Sequence, residues 1–254
     1  MKDAILHSLE KGCDWLLDLR SYPVPRADQA KPPRIVAHRG AWDSYVTENS
    51  MAAFKTAIEL GAWAIEFDVH FTRDGEPVVH HDPALRRIFK NPGAIREMTF
   101  AEIKSAGIDL PHLQDVLALK NTHFMIELKV AMSPAQVRTV EQLLSHLQPY
   151  TDYHLLSLQP ELVRLTEKLP PKAWILVGDT NVPALARAAD FLGLGGVAAH
   201  YVFVTDYWIH WLHQRGMGAG VGFVPTPNLY RREWGRGIDW VFTNHLNSIK
   251  SVSN

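Results

Sequence analysis

The chain has 254 residues, 46% of them hydrophobic, with 26 Lys+Arg against 27 Asp+Glu. That length fits one α/β barrel as well as two small domains, and one domain is the simpler expectation. The balanced charge offers no global field for nucleic acid or any other long polyanion. Cys13 stands alone, which excludes an internal disulfide and a cysteine-based zinc site and suits a reducing compartment. There is no run of about 18 uncharged apolar residues to span a membrane. The N-terminus also lacks the basic-then-apolar pattern of a signal peptide, so a cytoplasmic protein is expected.

In chain order, Ile5, Leu9, Cys13, Leu16 and Leu17 recur at helical spacing and predict an amphipathic helix that caps the bottom of a barrel. A dimer or membrane-surface contact is the alternative. Basic residues are sparse there, which limits any membrane role to peripheral lipid contact. Pro23, Pro25, Pro32 and Pro33 mark an extended connector, so residues 1–33 form a helix and Pro-rich lead-in to a unit of residues 34–254. Eight candidate strands follow, at 34–38, 63–69, 122–129, 154–158, 173–177, 196–200, 217–223 and 240–243. Helical patterns separate them at 50–60, 113–119, 134–147, 160–168, 182–191, 207–215 and, weakly, 229–234. Eight parallel strands with crossover helices predict an α/β fold closed as a TIM (β/α)8 barrel. A doubly wound sheet would carry a Gly-rich phosphate turn after its first strand, where this chain has His38-Arg39-Gly40. Residues 71–109 do not fit a βα unit and read as a short insertion after the second strand, with an extra strand at 77–81.

Active sites of such barrels lie where strands end. The first strand brings His38 and Arg39 there, the second Glu66 and Asp68, the third Glu127 and Lys129, and later strands Ser157, His200 and Thr243. Residues two apart on a strand share a face. Acidic and basic groups on such apolar strands are expensive to bury without partners, so these side chains are expected to converge on one hard cation and its anionic ligand. His38 and His81 add proton carriers that titrate near neutrality. The combination suits cleavage of a phosphate ester. His80 alternates out of phase with His81 and reads as structural, as does His70, which lies beyond the expected strand end. Trp42, Phe89 and Trp234 stand where an apolar rim is conceivable, but packing is the more frequent role of aromatics at such positions and is the expectation here.

The succession His38-Arg39-Gly40, Glu48-Asn49, Gly61, Ile65-Glu66-x-Asp68-Val69, Thr72-x-Asp74-Gly75, Val78-Val79-x-His81-Asp82 and Leu85-x-Arg87 resembles the glycerophosphodiester phosphodiesterase family. Pro111-x-Leu113, Ile126-Glu127-x-Lys129 and Gly237-Ile238-Asp239 before Phe242-Thr243 continue the likeness. The resemblance implies a TIM barrel, one divalent cation (Mg or Ca), and hydrolysis of a glycerophosphodiester to sn-glycerol 3-phosphate and an alcohol. It makes Glu66, Asp68 and Glu127 the metal ligands, His38 and His81 the acid/base pair with His38 as base, and Arg39 and Lys129 the phosphate holders. Glu48, Asp82, Trp42 and His200 are placed around them as supports or mouth residues. Attack by water and formation of a cyclic phosphate both remain open.

The chain departs from the family at Ser50, where threonine is usual, and at 220–225, where Phe223 stands in a region that commonly carries a tryptophan. A small substrate such as glycerophosphocholine or glycerophosphoethanolamine is expected. The alternatives are a lysophospholipase D-like enzyme on the same barrel and a barrel that binds phosphodiesters without turnover. The Thr72-x-Asp74-Gly75 run and the absence of disulfide cysteines favour the glycerophosphodiesterase.

Overall fold

A computed structural model describes residues 16–26, 31–166 and 168–251. Its strands, in chain order, are β1 (Arg34–His38), β2 (Ala64–Phe71), β3 (Pro77–Val79), β4 (His123–Leu128), β5 (Tyr153–Ser157), β6 (Trp174–Gly178), β7 (Gly196–His200), β8 (Gly218–Gly222) and β9 (Trp240–Thr243). All except β3 pair in parallel with their neighbours. β1 pairs with both β2 and β9, so the sheet closes into the expected eight-stranded barrel. β3 lies antiparallel on β2, with Val69 opposite Val79, and extends the sheet as the predicted extra strand.

Each strand is buried on both faces and so reads as a nearly continuous apolar run. Alternation sends one set of side chains outward against the helices and the other into the barrel. The inward set forms its own core of Val36, Ala64, Met125, Leu156, Ile175, Ala198, Trp240 and Phe242. The same inward column on β4 carries His123 below Met125 and Glu127 above it. On β1 it carries Arg34 below Val36 and His38 above it. Polar groups therefore cluster at the two ends of the barrel, with an apolar plug between them.

The helices are α1 (Met51–Glu59), α2 (Arg86–Phe89), α3 (Phe100–Ser105), α4 (Leu113–Leu117), α5 (Pro134–Leu144), α6 (Val182–Leu192), α7 (Asp206–His213), α8 (Pro227–Gly235) and α9 (Leu246–Lys250). Ser50 caps α1 by accepting from Ala53 N–H, so its hydroxyl serves at that turn. The helix expected over 160–168 is only a 3₁₀ turn, Pro160–Leu165, and Pro170 and Pro171 bar its continuation. α8, weak in the sequence, is a full helix. Thr226 caps it, Pro227 opens it, and Leu229, Tyr230, Glu233 and Trp234 face the core. The insertion holds α2 and α3 on a small core of Val78, Leu85, Ile95, Ile103, Ile108 and Leu110.

Of the predicted N-terminal helix only its last residues are described, and residues 1–15 lie outside the described chain. Residues 16–18 are helical, and Leu17 packs on the main core. Asp18 accepts hydrogen bonds from Thr226 Oγ1 (2.9 Å) and Asn228 Nδ2 (3.0 Å) at the start of α8, and Pro25 lies beside Gly235 at its end. The described connector thus runs along α8 from the mouth end of the barrel to its floor. Among the described residues, no helix is long and apolar enough to cross a membrane.

Candidate active site

Where β1 ends, Arg39 (φ +59°) and Gly40 (φ +83°) turn the chain back over the strand ends. A Cβ on Gly40 would lie 2.8 Å from the Ala53 carbonyl carbon, so only glycine lets α1 sit this close. The turn aims Arg39 N–H at Glu66 Oε2, 2.9 Å away. Asn49, also at positive φ (+54°), donates from Nδ2 to Asp68 Oδ2 at 2.8 Å.

Glu66 and Asp68 stand two apart on β2, and Glu127 on β4 is in register with Asp68. All three are buried, and each offers an oxygen within 4.8 Å of the others. Lys129 Nζ lies 2.9 Å from Glu127 Oε1 and 3.3 Å from Asp68 Oδ1, and Arg39 Nε lies 3.4 Å from Asp68 Oδ2. Even so, neither Asp68 Oδ1 nor Glu127 Oε1 receives a well-directed hydrogen bond. Under-satisfied, convergent carboxylate oxygens are the donor set that hard divalent cations favour, so the residues present fit such an ion.

Burial, then repulsion from Asp68 and Glu127, pushes Glu66 well above the usual carboxylate range. Burial and then Asp68 raise Glu127. Asp68 is also pushed up by burial, but Lys129, Arg39, His81 and the Asn49 bond together outweigh it and leave this carboxyl below its ordinary value.

The two histidines are anchored differently. His38 Nδ1 lies 2.7 Å from Asn244 Oδ1, which can only accept, so the proton sits on Nδ1. Its Nε2 is left 4.0 Å from Glu66 Oε2. Burial, then the Arg39 guanidinium, pushes His38 down to about 4. His81 Nδ1 instead lies 2.7 Å from Asp82 Oδ1. Arg87 bridges Asp82 Oδ2 (Nε, 2.5 Å) and Glu48 Oε1 (Nη2, 2.5 Å), and Arg39 Nη1 meets the same Glu48 oxygen at 3.1 Å. Burial pushes Asp82 up, but Arg87 and His81 outweigh it and hold this carboxyl at about 2. β2 runs further than predicted, to Phe71. His70 is therefore inside the strand and bonds the His81 carbonyl through Nε2 at 3.0 Å, steadying the backbone of His81 rather than joining the acidic cluster.

A cavity of about 260 Å³ opens over these groups. His38, Arg39, Glu66, His81, Glu127 and Lys129 line one side; Leu156, Leu158, Val177, Ala198, Phe223 and Phe242 line the other, with His200 between. Phe223 packs edge-on to His38 (5.4 Å between centroids) and stacks on His200 (5.7 Å), although its φ of +64° is strained for a bulky residue. Trp42, Phe89 and Trp234 serve the packing around the site, as expected, and form no apolar rim. Trp42 donates from Nε1 to the His38 carbonyl at 3.1 Å, Phe89 joins the insertion core, and Trp234 lies in the main core because α8 turns that face inward. Glu48 and Asp82 do not line the cavity but hold the residues that do. Sequence reasoning passed over Asn244, the ring partner of His38, and gave Asn49 and Arg87 no role. The last two stand within motifs that carried the resemblance, whereas Asn244 carried no signal.

The described residues fall into a frame seen in solved proteins. A glycerophosphodiester phosphodiesterase from Parabacteroides distasonis superposes with a TM-score of 0.71 at 26% identity, covering 88% of this chain and 98% of that one. A phosphodiesterase from Oleispira antarctica, solved in complex with the product sn-glycerol-3-phosphate, has the same fold, with a TM-score of 0.76 at 21% identity over 87% of this chain and 96% of that one. In sequence, a glycerophosphodiester phosphodiesterase of Caldanaerobacter subterraneus subsp. tengcongensis is 37% identical over 108 residues, 38% of this chain and 44% of that protein. The chain spans about half the length of the curated relatives it matches. Residues 38–248 match the model of one family from the His-Arg-Gly turn to the last helix, and the chain belongs to that family, the glycerophosphoryl diester phosphodiesterases.

Proposed function

We propose that this protein is a metal-dependent phosphodiesterase that hydrolyses glycerophosphodiesters, such as glycerophosphocholine or glycerophosphoethanolamine, to sn-glycerol 3-phosphate and an alcohol. The observation that carries this reading is the convergence of three buried carboxylates from adjacent strands between two unlike histidines. Glu66, Asp68 and Glu127 would hold one divalent cation, Mg or Ca. Bound there, such an ion supplies Lewis acidity and offsets phosphate charge as it builds at the transition state.

The protein's own groups divide the remaining work. Arg39 and Lys129 bind the phosphate oxygens and orient the ester. His38, neutral and with its free lone pair on Nε2, takes the proton of the attacking oxygen. His81, held through Nδ1 by the ionised Asp82, gives a proton to the departing alkoxide. Asn244 fixes the tautomer of His38, and Arg87 holds Asp82 and Glu48 in place. The glycerol end belongs with the charged wall and the alcohol with the apolar one. That apolar wall favours a second reading, in which the glycerol carries an acyl chain packed against it and the substrate is a lysophospholipid.

The experiment is an assay of glycerol 3-phosphate release from a panel of glycerophosphodiesters and lysophospholipids, with and without chelator. Chelator-sensitive release of glycerol 3-phosphate is expected. Phosphate retained on the lipid product would shift the assignment to a D-type enzyme, and binding of the panel without turnover would overturn the catalytic reading.

A further inference from the structure

The floor of the barrel, at the opposite end of the strands from the acidic cluster, carries a second cavity of about 740 Å³. Lys31, Arg34, Lys172, His154 and Trp240 line it. The one acid among the described residues of its wall, Asp239, is engaged by His213 Nε2 and by Ala219 N–H, both at 2.8 Å.

Barrel interiors are ordinarily layered with branched aliphatic residues. This layer is built from imidazole, indole and guanidinium instead. His123 Nδ1 lies 2.9 Å from the Thr151 carbonyl, and His123 Nε2 lies 2.8 Å from His154 Nδ1. A carbonyl only accepts, so neutral His123 carries its proton on Nδ1, accepts at Nε2, and receives the Nδ1 proton of His154. The lone pair of His154 is thereby fixed on Nε2, which has no hydrogen-bond partner among the described residues. Trp240 is 6% exposed, and its indole N–H is buried without a partner. Trp63 stacks on His123 (4.2 Å) and carries the Arg34 guanidinium on its ring (4.7 Å). Packing alone would favour phenylalanine at such a position over an indole with an orphaned donor.

We propose that this cavity binds a tetrahedral phosphate-class dianion, either inorganic phosphate or a phosphate monoester. Lys31, Arg34 and Lys172 match its charge, the Trp240 indole N–H donates to it, and His154 takes up one proton on Nε2 to supply a second donor. The rings that face His154 are His123 on β4, Trp240 on β9 and Tyr150 just ahead of β5, with Arg34 on β1 acting on it by charge. In the protein alone, burial, then His123 and Arg34, hold His154 down at about 3, so the proton arrives together with the anion. The site uses no residue of the mouth and stands or falls separately from the catalytic reading.

Calorimetric titration of the intact protein with sulfate, a dianion that does not itself titrate near neutrality, tests this. Wild type, Lys129→Ala at the mouth, and a Lys31→Ala/Lys172→Ala double variant at exposed floor positions are compared. A sulfate-binding event is expected that survives Lys129→Ala and weakens about tenfold or more in the double variant, since charge-assisted partners are lost. Its affinity is expected to rise as pH falls from about 8 toward about 5, because binding draws a proton onto His154. His154→Gln is expected to flatten that slope; should it not fold, the lysine variant and the wild-type slope still decide. Competition by inorganic phosphate, by sn-glycerol 3-phosphate or by both supports the site and identifies the source of its ligand. Competition by neither overturns it, as does sulfate binding that vanishes with Lys129→Ala and ignores the floor lysines.

Discussion

At the mouth of the barrel, His38 and His81 each commit one ring nitrogen to Asn244 or Asp82 and leave the other free at the cavity wall, whereas at the floor His123 and His154 bond each other. Carboxylates and cations interleave around the mouth pair. The floor pair faces cations and aromatic rings, and the nearest acid in the cavity wall is already engaged by His213. Both pairs are buried or partly buried, so burial alone does not decide what an imidazole does here. The partner on its second nitrogen does: an amide fixes His38 as an acceptor at Nε2, a carboxylate holds His81 through Nδ1, and another imidazole ties His123 to His154.

The sharpest way to break this contrast is to remove the ion that the mouth would hold. Chelation is expected to abolish turnover, with recovery on adding Mg²⁺ or Ca²⁺, and to leave the floor and the secondary structure untouched, as read by activity and circular dichroism. Glu66→Gln is expected to mimic the activity loss while raising the melting temperature of the metal-free protein, because it deletes one of three mutually repelling acids. A lowered melting temperature would argue that Glu66 is structural.

Next in size, His38→Ala and His81→Ala should each lower kcat by about 10²–10⁴, the usual worth of a positioned acid or base. Loss of either floor histidine should leave kcat within about twofold, since neither touches the mouth cavity. Smaller still, Arg87→Ala should cost about 10–100-fold in kcat, in line with outer-shell partners of reactive groups. Arg87→Lys should rescue it only partly, because a single ammonium cannot bridge Asp82 and Glu48 as a guanidinium does. Equal kinetics for Arg87→Ala and wild type would remove the network from the mechanism.

The last effect is on stability, and the floor shares it with His38. His123 and His154 are lowered to about 4 and about 3 from an ordinary 6.5, by burial first in each case. Below about pH 6.5 the unfolded chain binds protons that the folded one refuses. Their contribution is therefore intact above that pH and is lost as acid drives the solution toward pH 4, by at most about 1.4 kcal/mol per pH unit for each ring. Urea unfolding from pH 7 to 4 should show this decline, and His154→Gln should make it shallower.

Much of this was legible in the chain. β1, β7 and β9 lie where the apolar runs place them, and the Glu66/Asp68 and Glu127/Lys129 pairs share a face as period-two alternation requires. Features fixed by tertiary packing were not legible. Asn244 is 206 residues from His38, and only closure of β9 onto β1 brings them together. For Trp234 both packing and a place at the mouth were open, and only the buried face of α8 decides for packing. His70 depended on where β2 stops, and strand ends are set by pairing with β3 rather than by composition.

Phe223 combines a left-handed backbone with a ring pressed against His38. Replacing it with glycine would relieve about 1–2 kcal/mol of backbone cost while stripping away the aromatic wall beside His38. Strain at this residue is therefore set against its ring contacts and against the freedom that glycine would add to the unfolded chain, so the same side chain that taxes the backbone also holds the cavity wall together.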